Sequence, residues 1–311
     1  MNISRRDFIH QAGLGGAALL LSPHLAGCGE ELGQEGVPDR FGGMAYPEFT
    51  GVPSLGGGAG EPFWARGNYR PVADEIEALD LEVLGSLPPE LNGHFLRNGS
   101  NAREGTPQHW FVGDGMLHGV HLRNGRALSY RNRWVQTAAF QGGEDIMANR
   151  ANTSLLHHHG KALALYEVST PYEIRVGDLT TVGNYDFGGA IDGPVTAHPK
   201  VDPVTGELFL IGYSPMGPYL SYTIVDAEGH VRKGQVIDIP APVMMNDYQL
   251  PEHYVLFMDL PIVFDLSHYE SGFPFSWQPE LGARLGVMPR YGNASEVEWF
   301  EINPCFVFHT F

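Results

Sequence analysis

From about Ile76 onward the chain is interrupted every few residues by turn-forming sequence, so long elements have no room to form. Arg123-Asn124-Gly125-Arg126 separates the strand-like runs Met116–Leu122 and Ala127–Trp134. Asn-Gly supplies the positive φ angles of a tight hairpin. His159-Gly160 opens Ala162–Glu167, and Pro203-Val204-Thr205-Gly206 opens Glu207–Tyr213. Ala227-Glu228-Gly229-His230 lies between Tyr222–Val225 and Val231–Ile239, and Pro251-Glu252-His253 precedes Tyr254–Phe257. No stretch after the first thirty residues sustains a 3.6-residue apolar period over three turns. The chain holds 40 Gly and 23 Pro beside 17 Phe, 13 Tyr and 5 Trp. Glycine and proline make turns and aromatic residues favour strands. The pattern therefore predicts an all-β fold: sandwich, barrel or propeller. The propeller is preferred, although no clean repeat such as a Trp-Asp blade signature is present.

The N-terminus has a different character. Arg5-Arg6 precedes an apolar run from Ala12 to Leu21, and Leu25-Ala26-Gly27-Cys28 follows. A twin arginine, a short apolar stretch and a small-residue box before cysteine resemble a bacterial twin-arginine lipoprotein signal. The run is about half the roughly 20 residues a spanning helix needs. Residues 1–27 are thus expected to be a signal, with Cys28 as the lipidated residue. That implies a bacterial protein exported by the twin-arginine route to the periplasm or cell envelope and anchored by lipid. The alternative is a buried N-terminal helix with a chance arginine pair. Residues 28–70 are rich in Gly and Pro, with Gly56-Gly57-Gly58 at their centre, and read as a tether or arm. The main body is expected over 71–311.

A net charge of −17 argues against nucleic acid, whose phosphates require Lys and Arg. It also argues against electrostatic docking on anionic lipid. The only cysteines are Cys28 and Cys305, too few for a disulfide framework.

Histidine, with 14 copies, offers the candidate chemistry. His198 precedes Pro199, which holds it extended and fixes the backbone behind the imidazole. It reads as a ligand at a strand end or as a surface histidine before a turn. His309 lies in the apolar stretch Pro304–Thr310, where burial would require a partner. Metal ligation and a bond to a backbone carbonyl are both open there. Glu167 ends the run Ala164-Leu165-Tyr166, either exposed or as the acceptor that orients a ligand histidine. His157-His158-His159 is the most visible cluster, but neighbouring strand residues face opposite ways and cannot converge on one ion, and its place just before a hairpin turn predicts that it is solvated. Gly113-Asp114-Gly115 reads as a structural turn. It lacks the Lys-Ser/Thr of a phosphate loop and the ligand ladder of a calcium loop. Neither a Gly-x-Ser-x-Gly elbow nor His-Glu-x-x-His is present.

Several segments, in order, resemble the carotenoid cleavage oxygenase family, which includes stilbene-cleaving dioxygenases and the retinoid isomerase of the eye. They are Leu91–Asn101, Gly113–His118, Asn152-Thr153, Ala164–Glu167, Thr196–Lys200, Met245–Tyr248, Phe257–Pro261, Trp299–Glu301 and Pro304–Thr310. The resemblance runs from about Pro71 to the last residue. It implies a seven-bladed β-propeller holding one non-haem Fe(II) on four histidines, with carboxylates orienting some of them. O2 then adds across a C=C bond of a carotenoid, apocarotenoid or stilbene-like substrate to give two carbonyl products. His198 matches the first ligand, His309 the third, and Glu167 an orienting carboxylate. No catalytic residue is implied beyond the metal site. At the second ligand position the family has histidine and this chain has Asn246, a poorer iron ligand. The fourth ligand falls beyond residue 311, so the chain is expected to be an N-terminal portion with an incomplete propeller. The competing expectation is an iron-free, non-catalytic lipoprotein of the same fold that binds an apolar ligand. An unrelated exported propeller of the sugar-binding or lactonase type ranks below both, for want of a coherent acidic or tryptophan set.

Overall fold

The computed structural model describes residues 62–310 apart from 66, 104–109, 143–147, 266 and 269–273. Cys28, the signal over 1–27 and the arm as far as residue 61 lie outside these residues. Two short 3-10 turns, Phe63–Ala65 and Gly67–Tyr69, come before the first strand.

Among the described residues, seventeen strands follow. Strands β1 (Glu77–Leu79), β2 (Gly93–Asn101), β3 (Asp114–Arg123) and β4 (Arg126–Trp134) form a sheet in the order β1-β4-β3-β2. Next come β5 (Ser154–His158), β6 (Lys161–Leu165), β7 (Tyr172–Arg175) and β8 (Thr180–Asn184), paired in chain order. A third four-stranded sheet holds β9 (Lys200–Val201), β10 (Leu208–Tyr213), β11 (Leu220–Val225) and β12 (Val231–Val236), again in chain order. Strands β13 (Tyr254–Asp259), β16 (Ala283–Pro289) and β17 (Glu298–Ile302) make a three-stranded sheet. Strands β14 (Ile262–Phe264) and β15 (Phe275–Trp277) pair separately. Every pairing is antiparallel. Among the described residues no helix is long and apolar enough to cross a membrane.

The expected turns are where the hairpins form. Asn124 and Gly125 take φ of 50° and 71° between β3 and β4, the conformation that Asn-Gly tolerates. Gly206 and Gly229 turn the chain into β10 and β12 with φ of 72° and 86°.

The core lies between successive sheets. On β6, Ala162 and Ala164 face β3 and β7, while Leu163 and Leu165 pack with Leu208 and Leu210 of β10. The opposite face of β10 carries Phe209, Ile211 and Tyr213, which pack with Tyr222, Val255, Phe257 and Met288. A middle strand buried on both faces has no polar side to show, so β10 reads as the unbroken run Leu-Phe-Leu-Ile. Outer strands β8 and β12 alternate between half-buried and exposed residues, as a strand with one covered face does.

Strand β9 is short because its lead-in runs beside β10 with few ladder bonds. Thr196 N–H donates to the Ile211 carbonyl at 2.7 Å, which extends the edge of β10 towards residue 195. Gln249 bridges Leu256 in the same way beside β13. Such lead-ins need room. A Cβ on Gly212 would stand 1.9 Å from the Pro194 carbonyl oxygen, so only glycine permits that crossing. Gly115 does the same against Ala151, at 2.2 Å. This gives the Gly113-Asp114-Gly115 turn a structural role, with Asp114 paired to Arg103 and Arg150 at 2.9 Å each.

Candidate metal centre

The lead-ins to β9 and β13, together with the segment after β17, bring three sequence-distant regions together. His198 comes from the first, Asn246 and Asp247 from the second, and His309 from the third. The imidazole centroids of His198 and His309 are 4.6 Å apart, edge to face. One ligand atom each from His198, Asp247 and His309 lies within 4.8 Å of the others. Among the described residues this is the one cluster of three such groups.

Glu167 reaches this cluster from the end of β6. Its Oε1 accepts the Ala197 N–H at 3.1 Å and stands 3.3 Å from His198 Nε2. Burial pushes its carboxyl up to about 8, against the lowering effect of bonds from Ala197 N–H and the Tyr213 hydroxyl. His198 moves the other way. Burial first, then the neighbouring His309, lowers its imidazole to about 4, so it is neutral near pH 7. A neutral imidazole that donates one N–H to a carboxyl oxygen keeps its second nitrogen free as a ligand. Thr196 completes the support: it is fully buried, accepts the His198 N–H at 2.9 Å and donates to the Asn246 carbonyl at 3.3 Å.

Asn246 is buried, and its side chain is committed. Nδ2 donates to the Phe308 carbonyl at 2.9 Å, which fixes which end of the amide faces that segment. The same Nδ2 lies 3.4 Å from His309 Nδ1. An amide N–H can only donate, so it meets the lone pair of that ring nitrogen.

Two features differ from expectation. His309 is exposed and lies outside any strand, though its apolar surroundings in sequence suggested burial. The histidine triplet is not wholly solvated. His158 is buried with Nε2 at 3.0 Å from the Gly206 carbonyl, while His157 and His159 stay outside. Strand alternation sends the middle one inward. Asp247 was not singled out from the sequence as a site residue. The only signal for it was its place beside Asn246.

The comparisons with known proteins bear on this arrangement. A family model described as "Retinal pigment epithelial membrane protein" matches residues 69–311. The chain belongs to this family, that of the carotenoid oxygenases. It is 36% identical over 302 residues to a carotenoid cleavage oxygenase of Mycobacterium tuberculosis, covering 79% of this chain and 60% of the relative. It is 38% identical over 291 residues to the carotenoid 9,10(9',10')-cleavage dioxygenase 1 of Pisum sativum, covering 79% and 54%. The crystal structure of a Pseudomonas brassicacearum lignostilbene dioxygenase superposes with a TM-score of 0.66 and 32% identity, over 75% of this chain and 54% of that one. The stacked antiparallel sheets are accordingly blades of a carotenoid-oxygenase propeller. The chain spans little more than half the length of the relatives it matches.

The donor set can be weighed for the metal such a family implies. Two neutral imidazoles suit Fe(II) and similar divalent ions. One ring nitrogen each of His198 and His309 lies within 4.8 Å of the other, so the two could reach a single ion. His198, with Glu167 behind it, fits; His309 offers a lone pair to an ion only once the Asn246 N–H leaves its Nδ1. Asn246 does not fit in the orientation that the Phe308 carbonyl holds, because its N–H rather than its oxygen meets His309.

Proposed function

We propose that the protein is a dioxygenase that holds one Fe(II) between His198 and His309 and cleaves a C=C bond of an apolar conjugated substrate into two carbonyl products. The adjacency of the two imidazoles, with Glu167 Oε1 3.3 Å from His198 Nε2, carries this reading. When bound, the iron supplies the site at which O2 is activated. The chain's own part is to hold His198 neutral and aimed, through burial and the Glu167 carboxyl. Relatives named for carotenoids and for lignostilbene bracket the substrate class as carotenoid, apocarotenoid or stilbene-like. Export by the 1–27 signal and a lipid anchor at Cys28 belong to the same proposal. They would place the enzyme at the cell envelope, next to apolar substrates.

A second reading has its own observation. Asn246 stands at a ligand position and turns an N–H towards His309 Nδ1, which favours an iron-free relative that binds an apolar ligand. One experiment separates the two. Fe(II) is added anaerobically to the 311-residue chain and to Asn246→His, metal retention is measured, and O2 uptake with a hydroxystilbene is followed together with aldehyde formation. Retention of one Fe(II) per chain with aldehyde produced supports the dioxygenase. Retention by Asn246→His alone supports a decayed site. Absence of iron from both rejects metal binding by the residues of this chain.

A further inference from the structure

Asp247 is 2% exposed, yet its carboxylate serves three segments at once. Oδ1 accepts the Tyr248 N–H at 2.8 Å and pairs with Lys200 Nζ at 2.8 Å. Oδ2 accepts the Thr310 N–H at 2.8 Å. Lys200 lies two residues after His198, and Thr310 directly follows His309. The Thr310 hydroxyl also returns a bond to the Tyr248 carbonyl at 2.9 Å. Residues 303–310 belong to no strand, so these side-chain bonds hold the backbone of His309 where a ladder otherwise would. A buried carboxylate and its ammonium depend on each other strongly, because either one left alone is an uncompensated charge.

We propose that Asp247 is a positioning residue. Its ion pair with Lys200 and its bond from Thr310 set the separation of His198 from His309 and hence the affinity of that pair for a metal ion. The inference rests on reading the two histidines as ligands. The same carboxylate could instead be a ligand itself, since one of its oxygens lies within the 4.8 Å cluster. Against that, both acceptor directions of Oδ1 are taken, and the Lys200 charge repels a dication. The two roles predict opposite signs for Lys200→Met. Removing the cation would strengthen a carboxylate ligand, whereas removing half of a clamp loosens the imidazole pair.

The test is Co(II) binding to the 311-residue chain, read by visible absorption and calorimetry, in wild type, Lys200→Met, Asp247→Asn and the double variant. Thermal unfolding serves as the check that each is folded. The expected result is a loss of roughly tenfold or more in affinity for each single variant, with the double variant no worse than the weaker single one. Tighter binding by Lys200→Met overturns the positioning role in favour of ligation. Unchanged affinity across the set overturns it outright. A metal-free readout accompanies these: amide exchange at Thr310 should quicken in Asp247→Ala while the amides of β7 keep their rates. An unchanged Thr310 rate rejects the clamp. Wild type that takes no Co(II) rejects the metal reading and the affinity claim with it, while the exchange result still decides whether the segments are clamped.

Discussion

Glu167 shows how much one side chain can be asked to do. It satisfies the Ala197 N–H, lies against His198, and is followed by Val168 in the left-handed region at φ 59°. A β-branched residue there costs about 1–3 kcal/mol, a strain of the kind that persists where surrounding structure imposes it. Because burial holds the Glu167 carboxyl protonated to about pH 8, glutamine is its close mimic. Glu167→Gln is expected to unfold within about 1 kcal/mol of wild type. Glu167→Ala, which strands the Ala197 N–H, is expected to lose about 1–3 kcal/mol. Urea denaturation of the two variants checks the difference. Metal affinity should fall by about 10- to 100-fold in the alanine variant, which removes the group that orients His198.

At the scale of the element, β10 is the strand on which the site depends. Its two faces enter two different cores, and its edge carries the lead-in to His198. Phe209→Ala should therefore cost about 3–5 kcal/mol, whereas Val236→Ala on the exposed edge strand β12 should stay within about 0.5 kcal/mol. Equilibrium unfolding of both variants gives the comparison. Gly212→Ala joins stability to function. A methyl 1.9 Å from the Pro194 oxygen must push away the segment that carries Thr196 and His198. Loss of Co(II) binding should accompany the fall in melting temperature. The hairpins of this sheet were legible from Pro203–Gly206 and Ala227–His230, because a turn is chosen by the few residues that form it. The shared core of β6 and β10 was not, because an unbroken apolar run does not say which strand lies against it.

Across the whole molecule, ionic links between sheets add to the apolar cores. Asp202, just after β9, accepts the Val204 and Thr205 N–H groups and pairs with Arg290 at the end of β16 at 2.7 Å. The backbone bonds first, then the Arg290 guanidinium, hold its carboxyl down at about 2, below the usual value of 3.8. With the folded value depressed, the unfolded chain binds more protons between these limits, so this stabilisation is complete above pH 3.8 and lost as pH falls through 2. Asp202→Asn should flatten the dependence of melting temperature on pH in that window. An unaltered slope would mean that other carboxylates set the acid limit.

Sequence by itself determined the all-β class, the positions of the hairpins and, through an ordered set of short motifs, the family; the same motifs singled out His198, Asn246 and His309, which the fold brings together. Local chemistry suffices for turns, and motif order survives without coordinates. Only the tertiary structure decided that Asn246 turns its N–H to Phe308 and His309, that His158 alone of its triplet goes inward, and that Asp247 joins segments 63 residues apart. Those outcomes depend on which strand edges meet and in what register. No local window of the chain holds that information, because each contact is made between residues that have no neighbours in common until the sheets have packed.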